Sequence, residues 1–380
     1  MMPDAAFTPE ESLILRVCRP GPDADRAAEV EKMLSAPLDW NRIVPLVAKH
    51  KVLPLFWDTL SRLDLIRAAM RTGGLSKLWA HYLSQLYVAN RERTQLFLDM
   101  LETQADEWRT AGLELVVLKG GALIGSLYQP ANRMLHDIDL AMDRAIAPQV
   151  RQHFFAAGYR HGVLDVASGL LEPLGRKAER MWLFYNHTLP PFYKATGSVL
   201  TPYHKVQVGF DFFDTEDEYA FGLAAVAAEA LDKPGSRLRV PRPEHMLLNL
   251  CTHIYREGIS LVYADVNDNW QLIKFCDLLG YLHLAGAELD RERFAATVQE
   301  AGLAPVCAFA FHYTARVFPD EVLAEWCTRY PMPVEAMTPH LREGSREVPG
   351  EDTFERQLFS LRAHRPARSR WNQKLGQEEW

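Results

Sequence analysis

The stretch Leu115 to Met142, LVVLKGGALIGSLYQPANRMLHDIDLAM, constrains this chain more than any other. An apolar run, Leu115-Val116-Val117-Leu118, reads as a strand and ends in Lys119-Gly120-Gly121, after which Ala122 to Tyr128 has helical spacing. Bare backbone amides at such a helix start can hold phosphate. A loop follows, then a second strand carrying Asp137-Ile138-Asp139. Strand side chains alternate faces, so acids at i and i+2 project from one side. Two hard oxygen ligands so placed suit magnesium, with manganese as the second cation they admit. Each piece alone is ordinary turn chemistry. Together and in this order, with the basic Arg133 between them, they point to a site.

The surroundings are those of an ordinary globular chain. With 380 residues and 48% hydrophobic content it can bury a large core, and the length allows two or three domains. A formal net charge of −7 weighs against general nucleic-acid binding, which wants a positive excess. Five cysteines without C-x-x-C spacing fit reduced, buried thiols and a cytoplasmic location. The N-terminus has acids where an export signal has bases, and eighteen apolar residues nowhere run together, so neither export signal nor membrane span is expected.

Thr8-Pro9-Glu10-Glu11 has the pattern of a helix start. Helices are expected over Ala27 to Leu34 and Trp40 to His50, and a long helix or helical hairpin over Leu75 to Trp108. Gly112 suits the residue just past that helix. The expected division is an N-terminal helical domain over 1–111, a core over 112–220, a C-terminal helical domain over 221–335 and a polar, partly basic tail over 336–380. Within the third, Glu216 to Leu231 is rich in good helix formers, and another helix begins near His245. On that second helix Asn249, His253 and Arg256 make one polar face, turned to a bound nucleotide or to Asp277.

Lys119-Gly120-Gly121, followed by Arg133-Met134-Leu135-His136-Asp137-Ile138-Asp139-Leu140, resembles the signature of the polymerase-β-like nucleotidyltransferases. Closer still is the uncharacterised bacterial nucleotidyltransferase family, in which "LKG" and "R-x-x-x-D-x-D-L" recur together. The similarity runs from about Trp40 to Leu282. Asp39-Trp40 and His50 to Leu55 look like that family's N-terminal helices, and Leu250 to His253 with Asp277-Leu278 like its C-terminal ones. The resemblance implies an α+β fold: a small mixed sheet with helices, flanked by N- and C-terminal helical segments.

It also implies a chemistry. Asp137 and Asp139 would hold Mg2+ or Mn2+, and a nucleoside triphosphate would be substrate. Gly120 and Gly121 would give amides to its phosphates, with Lys119 and Arg133 offsetting charge on the leaving group. The acceptor would be a hydroxyl of a small molecule, peptide or protein. A histidine such as His187 would lie near the third core strand and could face the cleft, where the polar face that carries His253 is a second candidate lining.

That third strand departs from the pattern. Lys205 to Asp214 alternates, with Gln207, Gly209 and Asp211 on one face, and Gln207 stands where the family places an acid. Asp211 shares the face but lies roughly 13 Å further along an extended strand. Three explanations stay open: Asp211 substitutes, the enzyme works with two carboxylates and another base, or catalysis is lost and a nucleotide-binding regulator remains. Kinase or glycosyl transfer at the same phosphate cradle is a further alternative.

Overall fold

The computed structural model describes residues 7–21, 26–165, 168–333, 340–344, 346–348 and 353–362. At its centre six strands form a mixed sheet: β1 (Val116–Val117), β2 (Ile138–Ala141), β3 (Arg160–Leu164), β4 (Leu171–Pro173), β5 (Phe192–Ala195) and β6 (Tyr203–Gly209). Their spatial order is β1-β2-β6-β5-β3-β4. Only β2 and β6 run parallel, and Ile138 lies opposite Val206 and Asp139 opposite Gln207. The apolar residues Ile138, Leu140, Val206 and Val208 are fully buried, so the alternate residues, Asp137, Asp139, Lys205 and Gln207, share the opposite face. The chain has the α+β architecture expected of its motifs.

Helices precede and follow the sheet. Thr8 closes a capping box with Glu11 on the first, Pro9–Cys18. The Leu75 to Trp108 pattern is one 34-residue helix, Lys77–Thr110, ended by Gly112 at φ +67°, a backbone geometry glycine adopts freely. Its buried residues Asn90, Thr94, Phe97, Leu101, Gln104 and Trp108 form a stripe at three-and-four spacing. From that stripe Asn90 Nδ2 donates to the Ala131 carbonyl at 3.0 Å, and the neighbouring Arg93 guanidinium donates to the Leu135 carbonyl. The long helix therefore fixes the loop that delivers Asp137 and Asp139.

One hydrophobic core runs through helices and sheet, from Leu13 and Phe56 through Val116 and Ile138 to Leu247 and Phe311. Buried His50 joins the two helical parts: its Nδ1 accepts the Leu272 N–H at 3.1 Å. The C-terminal stretch is less tail-like than its composition suggests. Helix Phe354–Phe359 buries Phe354, Leu358 and Phe359, and Lys49 Nζ donates to the carbonyls of Gln357, Leu358 and Ser360 at its end. Beyond Arg362 the basic run lies outside the described residues.

The Glu216 to Leu231 region departs from its propensity. Only Ala224–Ala228 is helical, and Leu231–Asp232 pairs with Arg239–Val240 as a hairpin. The Asp211 carboxylate accepts the N–H groups of Phe213 and Phe221, and the rings of Phe212 and Phe221 stack 5.4 Å apart. These contacts hold residues 211–222 as a folded loop. All five cysteines are unpaired, four of them buried. No helix among the described residues is long and apolar enough to cross a membrane.

Candidate active site

The site is assembled on the polar face of β2 and β6. Lys119 follows β1 at φ +47°, a conformation that a non-glycine residue holds only under constraint from its surroundings. It brings Nζ to 3.1 Å from Asp139 Oδ1. Lys205, next to Asp137 across the β2–β6 pairing, places Nζ 3.0 Å from Asp137 Oδ2. Two lysines thus offset two carboxylates that would otherwise repel at this spacing.

The acids are not equivalent. Burial pushes the Asp137 carboxyl up, but Lys205 and Lys119 outweigh it and hold the group below its ordinary value. Asp139 is raised, first by burial and then by the charge on Asp137, against the pull of Lys119.

Around Asp139 lies a narrow space of about 30 Å³, lined among others by Lys119, His187, Gln207, Asp211, Asn249, Thr252, His253 and Arg256. The last four include the polar face expected of helix Pro243–Ile259, which roofs the site. Asn249 is buried and its side-chain oxygen has no partner among the described residues. His253 bonds to Glu257 at 3.0 Å, and burial holds it down to about 3, so it is neutral at pH 7. A larger cavity of about 480 Å³ adjoins through His187 and Asp211, and Asp143, Asp214, Asp217, Glu218, Phe213 and Tyr219 line it.

The other residues singled out by sequence take different places. Gln207 stands directly beside Asp139, as the strand alignment required. Asp211 reaches the same cleft past the end of β6, with one carboxylate oxygen committed to two backbone N–H groups. Gly120 and Gly121 are buried in the short helix Lys119–Leu123 and do not line the cleft. A Cβ at Gly121 would stand 2.8 Å from Val117 Cγ1, and one at Gly120 2.8 Å from Leu135 Cδ2. Arg133 is likewise outside: its guanidinium donates to Asp277 at 2.8 Å in a buried pair. Asp277 is therefore turned to Arg133 and not to the polar face of the roof helix.

The sequence profile described as uncharacterised nucleotidyltransferase matches residues 36–319, about three quarters of the chain. The chain belongs to that family. Comparisons with curated proteins and with solved structures gave no match. The family's matched region takes in the whole six-stranded sheet, the long helix and the roof helix, so every cleft residue named above falls within it.

Sequence reasoning passed over two residues that the fold brings in. Lys205 has the parity of Gln207 on its strand, a signal that would have placed it on the acidic face. Asp214 has none: only the folded loop puts it against His187, 27 residues away in the chain.

Donor chemistry supports a divalent cation here. Two half-buried carboxylates on one face match the one or two that magnesium takes when substrate phosphates supply further oxygens. Among the described residues no three His, Cys, Asp or Glu side chains converge as a metal site. The fit is to a cation shared with a phosphate, not to a protein cage.

Proposed function

We propose that this protein transfers a nucleoside monophosphate from a nucleoside triphosphate to a hydroxyl acceptor, with Mg2+ or Mn2+ shared by Asp137, Asp139 and the phosphates. The observation that carries the reading is the paired face of β2 and β6, which sets both acids beside Lys119, with Asp139 and Arg256 lining one cleft, in a member of this family. Bound there, the cation would offset phosphate charge and polarise the α-phosphorus. Asp137 and Asp139 would hold it. Lys119 and Arg256 lie where cationic donors can bind phosphate oxygens and stabilise negative charge on departing pyrophosphate. The cleft is narrower than a nucleotide, so binding displaces side chains, Arg256 among them.

Triphosphate labelled at the α- or the γ-phosphate, incubated with Mg2+ and acceptor mixtures, tests this. Transfer of α-label, lost in the Asp137→Asn/Asp139→Asn double variant, supports the reading. Transfer that survives in that variant, or movement of γ-label instead, refutes it.

Gln207 favours a second reading. A neutral amide beside Asp139 supplies neither charge nor a proton acceptor, as a protein that binds nucleotide without turning it over would tolerate. Nucleotide binding with no transfer of either label would establish that alternative.

A further inference from the structure

Two elements close on His187 from opposite sides. From the loop after β6, Asp214 Oδ1 accepts the His187 backbone N–H at 3.0 Å and lies 2.5 Å from Nδ1. From the roof helix, the Arg256 guanidinium lies along the ring, Nη1 3.1 Å from Nε2 and Nη2 3.2 Å from Nδ1, with Nη2 also 3.5 Å from Asp214 Oδ2. An ionised carboxylate only accepts and a guanidinium only donates. The carboxylate at Nδ1 therefore places the proton there and leaves the basic lone pair on Nε2, with the Arg256 guanidinium covering the ring.

His187 lines the same cleft as Asp139 and Gln207. It is thus a nitrogen base, oriented by a carboxylate, in a site whose third-strand acid is replaced by an amide. We infer that His187, positioned by Asp214, takes the proton of the attacking hydroxyl, and that the Arg256 guanidinium covers the ring until a polyphosphate draws it away. The inference rests on the nucleotidyl-transfer reading above.

In that step the acceptor O–H bond breaks and its proton passes to Nε2. The oxygen forms a bond to the α-phosphorus, and the bond from that phosphorus to pyrophosphate breaks with the electron pair leaving on pyrophosphate. Asp214 offsets the imidazolium charge, an arrangement that fixes the tautomer and orientation of a histidine base. A polyphosphate offers the guanidinium a bidentate, doubly charged contact in place of its long contacts to Asp214 at 3.5 Å and Asp217 at 3.9 Å, which supplies the driving force for uncovering the ring.

The charged and titratable groups around His187 come from several elements. Asp214 and Asp217 lie on the loop, Arg256 and His253 on the roof helix, Lys119 after β1, Asp139 on β2, and Asp211 and Tyr263 nearby. Burial and then Arg256 hold the imidazole down to about 4, against the upward pull of Asp214. Moving Arg256 to a phosphate removes the second of these effects.

The test follows the imidazole resonances of the full chain by NMR as pH is varied, with α,β-methylene-ATP as the probe. Saturation with the probe should raise the His187 titration midpoint by a pH unit or more. Arg256→Gln should produce that rise without probe. A probe that binds but leaves His187 unmoved overturns the inference alone, whereas a probe that does not bind overturns the nucleotide reading of the cleft and this inference with it. In turnover, His187→Gln should lower kcat about 100-fold, the scale of a lost general base, with KM for the triphosphate little changed. An unchanged kcat would also overturn the assignment.

Discussion

Arg133 and Asp277, 144 residues apart in the chain, form an ion pair 2.8 Å long with almost no access to solvent. It ties the loop leading into β2 to helix Leu272–Ala285, and so holds the approach to Asp137. The first prediction concerns stability. Asp277→Ala leaves a buried guanidinium without its counter-charge and should destabilise the fold by about 3–5 kcal/mol. The double variant Arg133→Met/Asp277→Leu removes both charges and should recover most of that loss. Urea unfolding measures both, and a single-variant loss below about 1 kcal/mol would show that the pair does not hold the loop.

The diglycine turn gives a second prediction. In a five-residue helix Gly121→Ala gains propensity, about 1 kcal/mol. Its new methyl, however, would stand 2.8 Å from Val117 Cγ1, on a stiff β-branched side chain in a fully buried strand. Overpacking of this kind costs about 1–3 kcal/mol, so steric crowding should outweigh propensity and the variant should unfold at lower urea. A variant as stable as wild type would mean that the turn tolerates a side chain and that close packing does not require glycine there.

Local patterns made much of this fold legible. Apolar spacing gave the long helix, Gly112 its end, and strand alternation put Asp137 and Asp139 on one face with Gln207 beside them. Long-range contacts were not legible. Residues 216–231 carry helix formers, but the backbone bonds of Asp211 and the Phe212–Phe221 stack act across the loop and override propensity. The same loop hides Asp214 from any reading of the chain in order. Arg133 has the sequence of a phosphate ligand, and only helix Leu272–Ala285 shows where its charge is met.

Histidines give a pH prediction. His204 is fully buried, bonds through Nδ1 to the Tyr159 hydroxyl at 2.7 Å, and is held down by burial to about 3. His187 and His253 are likewise low, at about 4 and about 3. Below pH 6.5 the unfolded chain binds protons that these folded imidazoles refuse, so their contribution is complete above that pH and is lost as pH falls towards 4. Raised carboxyls at Asp139 and Asp277 work in the opposite sense. The histidine part is isolated by comparing wild type with His204→Phe. At about 1.4 kcal/mol per pH unit, their stability difference should shift by about 2 kcal/mol in favour of the variant between pH 6.5 and 5. A constant difference across that window would show that His204 titrates normally.

Gln207→Asp restores a carboxylate beside Asp139 and tests how the cleft meets a cation. Without a divalent ion, the new charge faces Asp139 across the β2–β6 pairing, and like charges so placed are destabilising. Lys119 and Lys205 already serve one acid each, so neither is free to offset the third without weakening its present pair. Tm in chelator should therefore fall below that of wild type. Adding Mg2+ supplies the missing positive charge, and the magnesium-induced rise in Tm should exceed that of wild type. Each tenfold gain in affinity is worth about 1.4 kcal/mol at saturating ion. Asp139→Asn in the same background removes the neighbouring ligand and should abolish the extra rise. If Gln207→Asp responds to Mg2+ no more than wild type does, the acids of β2 and the position beside them on β6 do not share a cation.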